Sequence, residues 1–382
     1  MCNCSNCFEA YLALYILYIQ LYNGYDLYFV TFLIYKKKKL NKLCFYVSGN
    51  IGVCYGLLGD NLPQPSAAVS LIKSTGIIGS VRLYRPDPNV LQALRGSDLH
   101  VLLGVPNSDL QSVASDPSTA AKWVQTNIQP YVPGVRFKYL AVGNQVIPGW
   151  EAQFVLPAMQ NMWAALASAG LTNQIAVSTS VSTGVLGQSY PPSAGAFTSD
   201  ALQYLQPIVQ FLINTRAPFL ANVYPYFSYI GNPHQINIRY ALFTSPGTVV
   251  QDGQFAYQNL FDAILDALYS ALEKIGGSSV PVVVSESGWP SNGGSVATIG
   301  NAQAYNSNLI RHVGQGTPKR PGHIEAYIFA LFNENQKQPQ GTENNFGLFY
   351  PNMQPVYPFH SSKCSLNLKS SHQHKKQTNS TL

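Results

Sequence analysis

The chain has 382 residues, 46% of them hydrophobic and only 10% charged, with a formal net charge of +6. That balance can bury a large core, which excludes a disordered protein and suits one domain of barrel size with extensions. The charge sits at the ends: residues 1–50 carry +3 and residues 361–382 carry +4, leaving −1 between them, so the body offers no nucleic-acid surface.

Residues 1–50 read as an atypical N-terminal extension. Residues 10–35 are apolar and rich in tyrosine, but Gln20, Asn23 and Asp26 interrupt the run. A membrane span needs ~20 predominantly apolar residues, and a central Asp is costly in lipid. A secretory signal carries its positive charge before the apolar core, whereas Lys36, Lys37, Lys38 and Lys39 follow it here. The segment is expected to be a failed signal segment or a gene-model artefact, outside the mature fold. Cys2, Cys4, Cys7, Cys44 and Cys364 lie in the terminal segments, and Cys54 alone lies in the body. A lone cysteine makes neither a disulfide framework nor a zinc site, and Cys2, Cys4 and Cys7 lack partners at finger spacing.

From Ile51 onward, short apolar runs alternate with helical patterns. The runs are 51–55, 80–84, 100–105, 137–142, 174–178, 219–224, 280–284 and 324–332. Several are rich in Val, Ile, Leu and Tyr with little alternation, as in parallel strands covered on both faces. Helical patterns fall at 66–74, 89–95, 118–129, 151–169, 200–214, 259–276 and 298–312. In the clearest, Leu260, Phe261, Ile264, Leu265, Leu268, Leu272 and Ile275 form one stripe, with Lys274 in the last turn and Gly276 as the stop. Eight strand–helix alternations over 51–360 predict an α/β fold of the (β/α)8 TIM-barrel type. The stretch 228–257 is longer than an ordinary connection and predicts a small insertion after the sixth strand. A doubly wound sheet would favour a Gly-rich phosphate turn after the first strand, and Cys54-Tyr55-Gly56-Leu57-Leu58-Gly59 does not match one.

Chemistry in such barrels sits at the C-terminal strand edge. The polar residues expected there are Tyr84 after the second strand, Asn144 and Gln145 after the fourth, and Tyr224 and Tyr226 after the sixth. Glu286 follows the seventh, and Asn333 and Glu334 the eighth. Glu286 is the sharpest signal, because a carboxylate one serine after the apolar run 280–284 is expensive to bury without purpose. The plain alternative is a Glu paired with an Arg or Lys under a loop. In Val284-Ser285-Glu286-Ser287-Gly288-Trp289-Pro290 the Gly and Pro bend the chain away, and Trp289 offers a flat ring for a sugar face.

Residues 282–294 resemble the signature of glycoside hydrolase family seventeen, which contains plant endo-β-1,3-glucanases and β-1,3-1,4-glucanases. Ile51-Gly52-Val53-Cys54-Tyr55-Gly56 resembles the usual start of the mature enzyme. Further matching motifs are Arg82-Leu83-Tyr84, Ala141-Val142-Gly143-Asn144 and Asn222-Val223-Tyr224-Pro225-Tyr226-Phe227. Phe332-Asn333-Glu334-Asn335-Gln336-Lys337 and Phe346-Gly347-Leu348-Phe349 complete the set. The resemblance implies retaining hydrolysis of internal β-1,3-glucosidic bonds by two carboxyl groups ~5–5.5 Å apart. It implies Glu286 as nucleophile and the residue after Asn144 as acid/base. It also implies Glu334, Lys337 and Glu343 as a charged cluster beside the pair, and Tyr84, Asn144, Tyr224 and Phe227 as sugar-contacting residues.

The acid/base position holds Gln145. An amide matches a carboxylic acid in shape but cannot hand over a proton. Arg85 and Gly104 also stand where the resemblance leads one to expect Asp. Glu334, Glu343 and, more remotely, Glu151 are the carboxyls that could take over the proton. The expected function is glucan endo-1,3-β-glucosidase, weakened by Gln145. The alternatives are a glucan-binding barrel that no longer cleaves, or a β-1,3-glucan transglycosylase. No metal or cofactor is implied, and the expected partner is β-1,3-glucan, bound by a monomer without a membrane span in the mature barrel. The polar tail 361–382 is expected to be disordered, with Asn379-Ser380-Thr381 as a glycosylation acceptor if the chain is secreted. The resemblance points to the extracellular space, cell wall or vacuole and to a defence or wall-remodelling role.

Overall fold

A computed structural model describes residues 51–359. The expectations for residues 1–50 and for the tail lie outside the described residues. Eight parallel strands close into a barrel: β1 (Ile51–Cys54), β2 (Ile78–Leu83), β3 (His100–Val105), β4 (Arg136–Asn144), β5 (Ala176–Ser182), β6 (Phe219–Asn222), β7 (Val282–Ser287) and β8 (Ala326–Ile328). Each neighbours the next in sequence, and β8 returns to β1 through Ile51↔Ala326, Gly52↔Tyr327 and Val53↔Ile328. The helices between them are α1 (Pro65–Thr75), α2 (Pro88–Leu94), α3 (Leu110–Ser115), α4 (Pro117–Asn127), α5 (Ala152–Ser168), α6 (Ser199–Thr215), α7 (Pro225–Gly231), α8 (Ile238–Ala241), α9 (Leu260–Lys274) and α10 (Ile299–His312). No helix among the described residues is long and apolar enough to cross a membrane.

Local chemistry explains most helix starts. Asp87, Asp116, Thr198, Asn259 and Thr298 each accept a hydrogen bond from a backbone N–H in the first turn of α2, α4, α6, α9 and α10. Such caps satisfy donors that the helix itself cannot pair. Inside the barrel, a Cβ on Gly52 would lie 2.2 Å from the Tyr327 ring, so the glycine makes room for that side chain to fill the interior.

Two strands differ from the sequence reading. The fifth runs through Ser178, Thr179, Ser180 and Ser182, beyond the expected apolar stretch, because its buried hydroxyls find partners. Ser178, for example, donates to the Pro218 carbonyl at 2.7 Å. The eighth is shorter than the apolar run 324–332. After Ile328 the chain leaves the ladder and pairs with the 346–349 segment, through Ala330 N–H to Phe346 O and Phe349 N–H to Leu331 O.

The expected insertion after β6 holds α7, α8 and a small hairpin of Val250–Asp252 with Phe255–Tyr257. It docks on α9, whose apolar stripe is buried as predicted except that Ile275 is only partly covered. The opposite face of α9 is buried too, along a polar seam. Asp266 accepts from Tyr257 Oη at 3.0 Å, from Lys319 N–H at 2.9 Å and from the Thr317 hydroxyl. Asp262 accepts from His312 Nε2 at 2.6 Å and from Asn259 Nδ2 at 2.8 Å. Burial pushes the Asp266 carboxyl up from an ordinary value of 3.8 to about 6, against the pull of those donors. The folded state therefore holds this proton more tightly than the unfolded chain between about pH 4 and 6, and stability from this group is lost as pH rises through that window. Asp266→Asn should gain on the parent by about 2–3 kcal/mol between pH 4 and pH 7, read from urea unfolding at both values. A pH-independent difference would mean that Asp266 does not titrate there.

Candidate active site

The site grows from one residue of β2. Arg82 alternates inward between Val81 and Leu83 and is 1% exposed at the C-terminal half of the barrel. Its Nη1 donates to Asn222 Oδ1 at 3.0 Å and to the Ser285 carbonyl at 2.9 Å, and forms an ion pair with Glu286 Oε1 at 2.9 Å. Its Nη2 donates to Asn144 Oδ1 at 2.9 Å and to Ser180 Oγ at 3.3 Å. One guanidinium thus joins β2, β4, β5, β6 and β7. Asn222 closes the ring: its Nδ2 donates to Asn144 Oδ1 at 3.0 Å while its Oδ1 also accepts from Ser285 Oγ at 2.8 Å.

Glu286, only 4% exposed, stands in this cage. Tyr84 Oη donates to Oε1 at 2.9 Å and Tyr224 Oη donates to Oε2 at 2.7 Å. Both carboxylate oxygens are therefore oriented, by two hydroxyls and a cation. Burial pushes the Tyr84 and Tyr224 hydroxyls well above the ordinary tyrosine range, with the Glu286 charge adding to it, so both stay protonated donors. The sequence allowed a functional carboxylate or a Glu paired with an Arg or Lys under a loop, and Glu286 has a cation partner, Arg82, inside the barrel end. Burial likewise pushes the Cys54 thiol up to about 12, which keeps it a neutral neighbour bonded to the Ser285 carbonyl.

Asn144 is fixed from both sides. Asn107 brackets its backbone, accepting from Asn144 N–H at 2.8 Å and donating to Asn144 O at 3.1 Å. Its side-chain Oδ1 is taken by Arg82 and Asn222, so its Nδ2 is left to donate elsewhere. Gln145 follows at φ +58°, a left-handed conformation that a residue of this size seldom adopts. Such strain costs about 1–3 kcal/mol and persists where the surroundings impose it. Here Gln145 N–H is held by the Ser180 carbonyl at 2.8 Å, and the exposed side chain stands on the groove wall.

A groove of about 660 Å³ opens over these residues, within the usual range for ligand pockets. Tyr84, Asn144, Gln145, Tyr224, Phe227 and Glu286 all line it, as do Glu334, Lys337 and Glu343. Phe227 is 42% exposed at the rim, and its ring lies 5.3 Å from that of Tyr224. Lys337 Nζ sits 3.6 Å from Glu343, 4.0 Å from Glu334 and 4.0 Å over the Phe329 ring. Glu334 also accepts from Leu58 N–H at 2.8 Å, and burial raises its carboxyl despite Lys337. Among the carboxyls considered as substitutes for the missing acid, Glu334 and Glu343 line the groove and Glu151 does not.

Trp289 is a correction. Its ring is fully buried, donates through Nε1 to the Val296 carbonyl at 2.9 Å, and packs against Tyr226 at 5.0 Å and Tyr305 at 5.6 Å. It offers no face to a sugar and supports the loop behind Glu286. Gly104 also departs from expectation for a steric reason. A Cβ there would lie 2.4 Å from the Tyr84 carbonyl oxygen, so a side chain would require the end of β2 to move. Arg85 lies exposed on the groove lining beside Tyr84.

The sequence reading did not single out Arg82, Asn107 or Asn222 as site residues, nor the Phe329 and Phe346 rings that floor the groove. A charged residue between Val81 and Leu83 in a buried strand is the same signal that exposed Glu286, and it was available. Among the described residues no group of three or more His, Cys, Asp or Glu side chains is placed to hold a metal ion. The cage generates one prediction. Arg82→Met leaves Glu286, Asn144 and Asn222 without their shared donor and should cost about 3–5 kcal/mol in urea unfolding. A loss under ~1 kcal/mol would show that the cage is not what holds the strand ends together.

The sequence model of the glycosyl hydrolases family 17 matches residues 51–360. A glucan endo-1,3-beta-glucosidase of Vitis vinifera is 56% identical over 312 residues, covering 81% of this chain and 90% of that one. Lichenase-2 of Hordeum vulgare is 54% identical over 309 residues, covering 81% and 97%. Among solved structures, one of two plant β-glucan endohydrolases with distinct substrate specificities superposes with a TM-score of 0.79 at 54% identity, covering 81% of this chain and 99% of that one. The caged carboxylate and the tyrosine-lined groove therefore belong to a barrel whose matched span takes in every site residue described above, and the chain is a member of the glycosyl hydrolases family 17.

Proposed function

We propose that the chain is a glucan endo-1,3-β-glucosidase that takes β-1,3-glucan along the groove, with Glu286 as the nucleophile of a retaining glycosidase. The observation that supports this most is the Glu286 clamp, in which Arg82, Tyr84 and Tyr224 orient both carboxylate oxygens at the groove floor. A nucleophile must be held within reach of the anomeric carbon with one lone pair aimed at it, and preorganised donors do this without reorganisation. Asn144 Nδ2, free of protein partners among the described residues, is suited to a sugar hydroxyl beside the reacting carbon. Phe227 offers its exposed ring to a sugar face. Glu334, Lys337 and Glu343 form the charged wall of the same groove.

Gln145 limits turnover on this reading. In the first half of the reaction the glycosidic C–O bond breaks, a Glu286 oxygen bonds to the anomeric carbon, and the departing oxygen needs a proton. Gln145 has none to give. General acid/base help is worth roughly 100- to 10,000-fold in rate, or about 3–5 kcal/mol of barrier. Binding does not depend on that proton, so the groove should retain its ligand. Monomeric state, placement in the extracellular space, cell wall or vacuole, and a defence or wall-remodelling role belong to the same proposal and rest on family resemblance alone.

Two measurements test the reading. Gln145→Glu should raise laminarin hydrolysis by roughly 100- to 10,000-fold over the chain as it stands. Equal rates would remove the role assigned to position 145, and a parallel run on a mixed-linkage glucan would place the activity relative to the lichenase relative. A β-glucosyl fluoride, whose fluoride leaves with little acid help, should still form a covalent adduct on the unsubstituted chain. Peptide mapping should find the adduct on Glu286, and an adduct on any other residue would displace Glu286 as nucleophile.

A further inference from the structure

Position 150, on the loop between β4 and α5, carries an exposed tryptophan. Trp150 is 71% exposed, more than any other large hydrophobic side chain among the described residues. A single exposed hydrophobic side chain is by itself ordinary, but tryptophan is enriched at recognition surfaces, where its ring is apolar and its N–H stays wet. The loop that presents it is built, not slack. Val146 and Ile147 are buried anchors, Gly149 N–H closes a tight turn on the Val146 carbonyl at 2.6 Å, and a Cβ on Gly149 would lie 2.9 Å from that same oxygen. Gln153 Nε2 donates to the Trp150 carbonyl at 3.0 Å, and Phe154 meets the indole edge to face at 6.1 Å and 86°. The ring is thereby held in a defined orientation with most of its surface bare.

Its position relative to the groove follows from the turn. Gln145 lines the groove. A four-residue turn brings its end Cα atoms within ~7 Å, and each flanking peptide adds ~3.8 Å, so the Trp150 Cα lies no more than ~15 Å from that of Gln145. Loops after barrel strands share the C-terminal face with the site. Trp150 itself lies outside the groove lining, and a chain continuing past Gln145 on that side would meet it within a few sugar units.

We propose that Trp150 is an outer stacking platform for β-glucan, contacting a sugar that lies beyond the groove and so favouring long chains over short oligosaccharides. The inference rests on the groove being a β-1,3-glucan site. The apolar C–H face of a glucose unit matches an indole face, and hydroxyls at its rim stay in water. Such a contact is remote from the reacting bond, so it acts on binding of the polymer and not on proton transfer.

Calorimetric titration of the full chain with laminarin and with laminaritriose tests this. Gln145 is retained throughout, so ligand is consumed slowly. Trp150→Ala should weaken laminarin binding roughly 10-fold and leave laminaritriose unchanged, while Trp150→Phe should keep most of the polymer affinity. An unchanged laminarin affinity in Trp150→Ala, or equal weakening towards both ligands, overturns the platform. If the unsubstituted chain binds neither ligand, the glucan reading of the groove itself fails, and the platform with it.

Discussion

Everything at the catalytic end of this barrel depends on a cation that has been taken out of water. Desolvating a guanidinium costs several kcal/mol, and only close, well-aligned acceptors recover it. Arg82 finds them on four other strands: the oxygens of Asn144, Ser180, Asn222, Ser285 and Glu286. None of these acceptors can drift without exposing buried charge, so the relative register of β2, β4, β5, β6 and β7 at their C-terminal ends is set by electrostatics as well as by the sheet ladder. The orientation of Glu286 is a consequence of that constraint. The two tyrosines then fix which way its oxygens face.

Much of the scaffold was legible in the chain because parallel barrel strands are covered on both faces and read as unbroken apolar runs. The errors share a cause. β5 carries serines and a threonine inside the barrel, where hydroxyl partners replace hydrophobicity, so an apolar search stops short of it. β8 was read too long because its apolar run continues into residues that pair with a segment many positions later, and no local pattern reports such a partner. At the site, Glu286 was visible as one acid after a valine run, Tyr84, Asn144 and Tyr224 were visible as polar residues at strand ends, and Phe227 came with family resemblance. Trp289 was misplaced because ring type does not encode exposure: Tyr226 and Tyr305 pack against it and bury it. Asn222 and Asn107 were not read as site residues because an asparagine at or just after a strand end has many bland explanations until its partners are known.

Recognition and reaction separate cleanly in this architecture. The groove residues proposed to meet sugar do so with rings, amide N–H groups and a cluster of two carboxyls around one lysine. None of these depends on a proton in motion. The reaction does, and the proposed function places that dependence on a single side chain. On that proposal the barrel holds polymer while turning it over slowly, and affinity alone is a poor guide to its rate.

The left-handed backbone at position 145 has a further consequence. That conformation is imposed by the end of β4 and by the Ser180 carbonyl that holds the Gln145 N–H, not by the amide of the side chain. The seat for a glutamate is thus kept intact by the scaffold, and glutamine and glutamate codons differ by a single base. Under the proposed reading, a gene carrying this barrel stands one point mutation from the acid in either direction. On that reading neither crossing requires the fold to be rebuilt, because the backbone that presents the side chain stays as it is.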